Sequence, residues 1–180
     1  MTLLECLEKV LDSKVLLAPS LNKGGSIVLR EAQANMKVQI RGIPPTVTAI
    51  HIGKINHLPL MKKAGKSWNL ICDYLLIFHL NLKYYAVFIE LKKSMPMNTR
   101  PKEQLRRSLP ILDYLLSVCK VECKTKSKPL VRYALIAEKV SKRMPKQRIK
   151  AKPCKKEGYE SINIKTCIGK IISVSKLIER

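Results

Sequence analysis

Three residues near the middle of the chain have types and spacings that suit work on a phosphate group. Asp73 lies in the apolar run NLICDYLLIF, and Glu90 and Lys92 lie in the run YYAVFIELKKS. Strand side chains alternate in direction, so Glu90 and Lys92 point to the same face of the second run. If a hairpin at about 80–83 joins the two runs, residues whose numbers sum to about 163 lie opposite each other. This arithmetic places Asp73 across from Glu90.

Two carboxylates that face each other across neighbouring strands repel, and burying both without compensation is costly. A divalent cation between them removes the repulsion, and carboxylate oxygens suit Mg²⁺ or Mn²⁺. The ammonium of Lys92 would then orient a water or stabilise charge on a phosphate oxygen. The pattern therefore predicts hydrolysis of a phosphodiester bond.

The charge of the chain indicates which partner carries that bond. The 180 residues contain 35 Lys and Arg against 13 Asp and Glu, a net charge of +22. Such an excess predicts nucleic acid as the partner, and we expect DNA. Residues 92–156 alone hold 20 Lys and Arg against four acids. The basic tract 139–157 is expected to contact phosphate without reading sequence, through Lys142, Arg143, Lys146, Arg148, Lys150 and Lys152.

The elements that must position these residues follow from periodicity and turn signals. Amphipathic spacing predicts helices over 2–17 and 101–119, the second kinked or split at Pro110, and a short helix over 168–178. Apolar or β-prone runs predict strands near 26–30, 37–41, 46–52, 69–79, 84–92, 129–138 and 159–166. The two central runs are almost continuously apolar, which predicts burial on both faces by helices. The fold class is α/β, with a central mixed sheet flanked by helices.

Length and composition predict one domain over 1–180, with its core at about 68–138, a basic loop or arm at 139–157, and a C-terminal strand and helix at 158–180. No stretch reaches the ~18 apolar residues that a membrane span needs. Glu5, Glu8 and Asp12 interrupt the N-terminal apolar pattern and argue against a signal peptide. We therefore expect a cytoplasmic protein without a membrane partner, whose six cysteines are reduced thiols.

Asp73, followed by Glu90-Leu91-Lys92 at the end of the next strand and by a helix that starts KEQLRRS, resembles the PD-(D/E)XK nuclease superfamily. The resemblance covers about residues 68–138 and implies a restriction-endonuclease-like fold. It also implies that Asp73, Glu90 and the backbone carbonyl of Leu91 bind Mg²⁺ or Mn²⁺ while Lys92 assists the attacking water. Cys72 stands where many members have proline.

The same resemblance implies further site residues. The family often adds an acid from the N-terminal region, for which Glu5 and Glu31 are the candidates. Gln104 matches a polar position near the active site of some relatives, and Arg106 and Arg107 are expected to contact phosphate. Restriction, phage defence and DNA repair or recombination are all compatible, and a homodimer would ease cutting of both strands of a duplex.

Three alternatives stay open at this point. Attachment to an anionic membrane surface through the basic tract ranks last, because no amphipathic helix accompanies the charge. Glu90 and Lys92 could form an exposed pair at the end of a fraying strand, with Asp73 bound to a lysine. The chain could also be a non-catalytic nucleic-acid-binding protein, or a subunit of a larger complex, on the same fold.

Overall fold

The computed structural model describes residues 1–17, 25–32, 35–54, 71–94, 100–139 and 164–179. A single turn of 3₁₀ helix spans Ile52–Lys54. The helices and strands, in chain order, are α1 (Leu3–Val10), β1 (Leu16–Leu17), β2 (Ser26–Glu31), β3 (Met36–Arg41), β4 (Val47–His51), β5 (Tyr74–Leu80), β6 (Lys83–Ser94), α2 (Arg100–Arg107), α3 (Leu109–Cys123), β7 (Leu130–Lys139), β8 (Ile164–Ile168), β9 (Ile171–Ser173) and α4 (Val174–Ile178).

The described strands form two sheets. The larger sheet has six strands in the order β1-β4-β5-β6-β7-β8. Its first four strands pair antiparallel, and β6, β7 and β8 pair parallel. A smaller sheet has three strands in the order β2-β3-β9. The predicted α/β class with a mixed sheet is therefore confirmed, and the separate three-stranded sheet is an addition that the periodicity did not show.

Both faces of the larger sheet are covered, as the unbroken apolar runs predicted, but the expectation that helices cover both is wrong for the face that packs against the smaller sheet. On one face, Leu75 and Phe88 pack in a buried cluster with residues of α1, α2 and α3, including Leu7, Leu105 and Leu112. On the other face, Leu76, Val87 and Ile89 pack against the smaller sheet and α4. The first of these will be called the helix face of the sheet. No helix among the described residues is both long and apolar enough to cross a membrane.

The hairpin between β5 and β6 sets the register of the central strands. Its two turn residues, Asn81 and Leu82, have φ values of 49° and 61°, the left-handed conformation that two-residue hairpin turns require. Leu80 pairs with Lys83 next to the turn, and Tyr74 pairs with Ile89 at the far end. The predicted hairpin and its register are confirmed.

Several predicted boundaries are wrong. The N-terminal helix ends at Val10 rather than residue 17, since the Asp12 carboxylate accepts the Lys14 N–H at 2.8 Å in a turn, and Leu16 then pairs with Ile50 of β4. Asp73 immediately precedes β5 instead of lying inside the strand.

The C-terminal helix also begins later than residue 168. Residues Ile171–Ser173 pair parallel with β3, and this pairing takes them out of the helix. Helix α4 then begins at Val174 with Ser173 as its N-cap. The helix predicted over 101–119 is split at Ser108, one of the two outcomes expected from Pro110.

The expectation of six reduced cysteines is wrong for two of them. Cys6 of α1 and Cys123 of α3 form a disulfide. The two helices lie side by side on the helix face, which brings these Cα atoms to 6.1 Å, within the ~4.4–6.8 Å that a disulfide spans. Cys72, Cys119 and Cys167 are buried thiols.

Candidate active site

Asp73 and Glu90 meet at the start of β5 and near the end of β6. The register pairs Tyr74 with Ile89, so the next position sets Asp73 across from Glu90. The N–H of Leu91 donates to Oδ2 of Asp73 at 2.7 Å, which fixes this carboxylate beside the second strand. Burial and then the negative charge of Glu90 raise the pKa of Asp73, and the second effect is expected for neighbouring carboxylates. The predicted convergence of the two acids is therefore seen.

Glu90 is fully buried, with 0 % of its surface exposed. Its Oε1 forms an ion pair with Nζ of Lys92, whereas its Oε2 has no hydrogen-bond partner among the described residues. Burial raises the pKa of Glu90, and Lys92 opposes that shift. The alternative of an exposed Glu90–Lys92 pair is therefore wrong. An unsatisfied buried carboxylate oxygen costs ~1–3 kcal/mol or more, and a bound cation would remove that cost.

A negative charge on Asp73 is also disfavoured. Burial raises its pKa to about 8, and the charge of Glu90 adds to the effect. The N–H of Leu91 and the charge of Lys92 act in the opposite direction. A positive charge placed between Asp73 and Glu90 would allow both groups to ionise at neutral pH.

Lys92 lies at the rim of this pair. Its side chain is 34 % exposed while that of Glu90 is completely covered. The ammonium is therefore accessible to a molecule that approaches the end of β6, and its pairing with Oε1 holds it next to the carboxylates.

The two N-terminal candidates for an added acid have different surroundings. The negative charge of Glu31 raises the pKa of both Asp73 and Glu90. The buried Tyr74 positions this end of β2: its hydroxyl accepts the N–H of Arg30 at 3.0 Å and donates to the carbonyl of Arg30. Glu5 instead forms a capping box with Thr2 at the start of α1. Glu31 therefore acts electrostatically on the pair, and Tyr74 is a supporting residue that the sequence did not reveal.

A network at the end of α2 anchors the segment before Asp73. Oγ of the fully buried Ser108 accepts the N–H of Cys72 and donates to the carbonyl of Gln104, both at 2.8 Å. The Gln104 side-chain amide donates to the carbonyl of Ile71 at 3.1 Å. Gln104 thus holds the backbone two residues from Asp73, and its predicted contact with nucleic acid stays a prediction.

Ser108 is a supporting residue that was not predicted from the sequence, although the sequence Ser-Leu-Pro marks it as a helix N-cap. Its side chain makes no capping bond to α3 because the hydroxyl is bonded to Cys72 and Gln104 instead. The thiol of Cys72 is unreactive, since burial raises its pKa to about 12 and keeps it protonated.

The predicted phosphate-binding residues are only partly visible. Arg106 and Arg107 lie exposed on α2, and a guanidinium nitrogen of Arg107 is 4.0 Å from Glu103. The predicted set on the basic tract lies outside the described residues: Lys142, Arg143, Lys146, Arg148, Lys150 and Lys152.

The donors present fit a magnesium ion. Within the described ranges, no three His, Cys, Asp or Glu side chains come close enough to form a metal cluster on their own. Mg²⁺ does not require one, because it usually takes one or two carboxylates and fills its other positions with water and substrate phosphate. Asp73, Glu90 and the carbonyl of Leu91 supply oxygen donors of the right kind, and Oε2 of Glu90 has no hydrogen-bond partner among the described residues.

Comparison with known proteins adds no relative: no protein-family model, no curated protein and no solved structure matches the chain. The site must therefore be interpreted from its own geometry.

Proposed function

We propose that the protein is a nuclease dependent on Mg²⁺ or Mn²⁺, acting on DNA, with the restriction-endonuclease-like fold of the PD-(D/E)XK superfamily. One observation carries the proposal: Glu90 is buried, faces Asp73, is paired with Lys92 through one oxygen and has its other oxygen unpaired in the described structure. Most buried polar atoms in folded proteins are hydrogen-bonded, so an unpaired carboxylate oxygen calls for an explanation, and a bound cation supplies one.

In this mechanism Asp73, Glu90 and the Leu91 carbonyl would hold the cation. When bound, the cation would polarise the scissile phosphate and lower the pKa of a water. Lys92 Nζ would donate a hydrogen bond to the attacking water or to a phosphate oxygen, from its position at the rim of the pair. Ser108 and Gln104 would keep the segment before Asp73 in place, and the buried helix face would exclude bulk water from behind the carboxylates.

The test uses purified protein with plasmid, linear duplex and single-stranded DNA, each with Mg²⁺, Mn²⁺ or EDTA. Asp73→Ala and Lys92→Ala are compared with Asp113→Ala and Lys120→Ala, which remove the same charges from exposed positions of α3. We expect metal-dependent cutting by the wild type and both controls, no cutting by Asp73→Ala, and cutting by Lys92→Ala that is slower by about 10²-fold or more. Equal cutting by Asp73→Ala would refute the assignment.

The second candidate is a nucleic-acid-binding protein, alone or as a subunit of an assembly, without catalysis. Two observations favour it: the net charge of +22, and the lack of a third acid within ligand distance in the described part of the site. It predicts tight, salt-sensitive binding and no cutting with any metal. The same assay therefore separates the two candidates.

A further inference from the structure

A basic pocket lies on the opposite face of β6 from Lys92. It has a volume of about 290 Å³ and is lined by Lys37, Lys93, Lys170, Glu138, Asn35 and Gln39. Lys93 comes from the end of β6, Glu138 from the end of β7, and Lys37 from the edge of β3, so both sheets contribute. These six residues define what we call the lysine pocket.

The lysine pocket has more positive charge than its own acid can neutralise. Glu138 forms ion pairs with Lys93 at 2.8 Å and with Lys170 at 3.3 Å, and these lysines lower the pKa of its carboxyl. Lys37 adds a third ammonium to the lining. Three lysines against one carboxylate leave the pocket with a net positive charge, which a bound anion would neutralise. The charge therefore favours an anionic ligand.

The backbone of β3 adds a donor of its own. Strand β9 pairs with β3 only from Gln39 to Arg41, so the edge at Asn35 and Lys37 has no strand beside it among the described residues. The N–H of Gln39 points to that edge, where it donates to the carbonyl of Lys170. Alternate residues of a strand direct their N–H groups to the same side, so the N–H of Lys37 also points toward the lysine pocket. Backbone N–H groups beside ammonium groups are typical of phosphate-binding sites.

The location relates the lysine pocket to the candidate active site. Lys92 and Lys93 are consecutive in β6, and strand alternation sends one to each face at the same end of the strand. A phosphodiester backbone that crosses this end of the sheet would pass both. The volume is at the small end of the ~300–1,000 Å³ typical of ligand sites, which suits one phosphate with its sugar.

We propose that the lysine pocket binds a backbone phosphate of the nucleic acid next to the one held at the candidate active site. This inference rests on the proposed nucleic-acid substrate, but it does not require the cutting step. Lys37 and Lys170 bind the phosphate directly, Lys93 positions Glu138, and Glu138 competes with the ligand for Lys170.

The test measures binding of a fluorescent duplex oligonucleotide in EDTA at several salt concentrations. Lys37→Ala/Lys170→Ala is compared with Lys126→Ala/Lys128→Ala, which removes the same charge from exposed positions before β7, at the opposite end of the sheet. We expect the pocket variant to bind about tenfold more weakly, and its log–log salt slope to fall by about 0.9 for each phosphate that the protein no longer neutralises. The control pair is expected to change the affinity and slope much less.

Glu138→Gln supplies a change of opposite sign. Removing the competing carboxylate is expected to tighten binding about two- to fivefold. Equal losses of affinity in the pocket and control variants, or a loss of binding to anionic lipid vesicles with DNA binding unchanged, would overturn the inference.

The outcome is independent of the nuclease assignment. With Mg²⁺, the Lys126→Ala/Lys128→Ala control should cut at the wild-type rate, while Asp73→Ala should bind in EDTA and fail to cut. The pocket variant should need a higher DNA concentration to reach half-maximal cutting, because it binds DNA more weakly. If no metal gives cutting by the wild type or any variant but the pocket variant still binds DNA more weakly, the lysine-pocket proposal is supported and the nuclease assignment is refuted. If the wild type cuts and the pocket variant binds DNA with the wild-type affinity, the nuclease assignment is supported and the proposal for the lysine pocket is refuted.

Discussion

Replacing Asp73 by Asn should stabilise the metal-free protein and remove its response to Mg²⁺. The side chain keeps its shape, and the Asn oxygen can still accept the N–H of Leu91 that now donates to Oδ2 at 2.7 Å. What disappears is the ability to carry a negative charge, which burial and the charge of Glu90 disfavour at this position. The substitution therefore removes the charge that needs a cation and keeps the hydrogen bond to Leu91.

The magnitude follows from the pKa of Asp73, which is raised from 3.8 to about 8. An acid whose pKa is higher in the folded state takes up a proton on folding, so stability falls as pH rises through the interval between the two values, by about 1.4 kcal/mol per pH unit. Between about pH 5 and pH 7.5 the loss for an isolated group is about 3 kcal/mol. Part of the shift is repulsion shared with Glu90, so we expect about 2 kcal/mol from Asp73→Asn.

The assay is thermal and urea unfolding of wild type, Asp73→Asn and the exposed control Asp113→Asn, in EDTA from pH 5 to pH 8. For a domain of this size about 2 kcal/mol corresponds to about 4–8 °C in Tm. The advantage of Asp73→Asn should grow with pH, and added Mg²⁺ should raise the Tm of the wild type and the control only. An advantage that is absent at pH 7.5, or that does not depend on pH, would refute the electrostatic reasoning.

Three further outcomes are expected. Lys92→Ala should lower the cutting rate by about 10²–10³-fold, because the lysine acts on charge at the reacting phosphate. The Mg²⁺-dependent rise in Tm should persist, since Lys92 is not a metal ligand, and loss of that rise would contradict this role. Ser108→Ala should cost about 1–3 kcal/mol in urea unfolding, because it leaves the buried N–H of Cys72 unpaired, whereas the exposed Ser117→Ala should stay within about 0.5 kcal/mol. Leu82→Gly should stabilise the hairpin by about 0.5–1 kcal/mol, since Leu82 is 92 % exposed and has a φ of 61°; a loss of stability would show that the turn is not strained.

The parts of the site that depend on local sequence could be predicted. A two-residue turn fixes which residues of β5 and β6 face each other, so counting outward from Asn81 and Leu82 brings Asp73 opposite Glu90. Alternation along β6 places Lys92 on the same face as Glu90, and the ion pair between them is seen. Strand boundaries were less well predicted, because the apolar run before Tyr74 continues beyond the point where pairing begins.

The supporting contacts could not be predicted, because they join residues that are far apart in the chain. Tyr74 reaches Arg30 across 44 positions, Ser108 reaches Cys72 across 36, and Cys6 is bonded to Cys123 across 117. No periodicity or spacing rule links such pairs, since they depend on how the layers pack. The same limit applies to the lysine pocket, whose residues come from separate strands of both sheets.

The burial of Glu90 distinguishes this site from a chance arrangement of an acid and a lysine two residues apart. An acid and a lysine two residues apart are common in a basic chain, and at an exposed strand end they would form a weak surface pair. Here the carboxylate is fully covered and faces a second, partly buried acid, while a single lysine neutralises only one of its oxygens in the described structure. Such an arrangement destabilises the folded protein unless a cation is bound, which is why the metal-free stability of Asp73→Asn is the most direct test of the site.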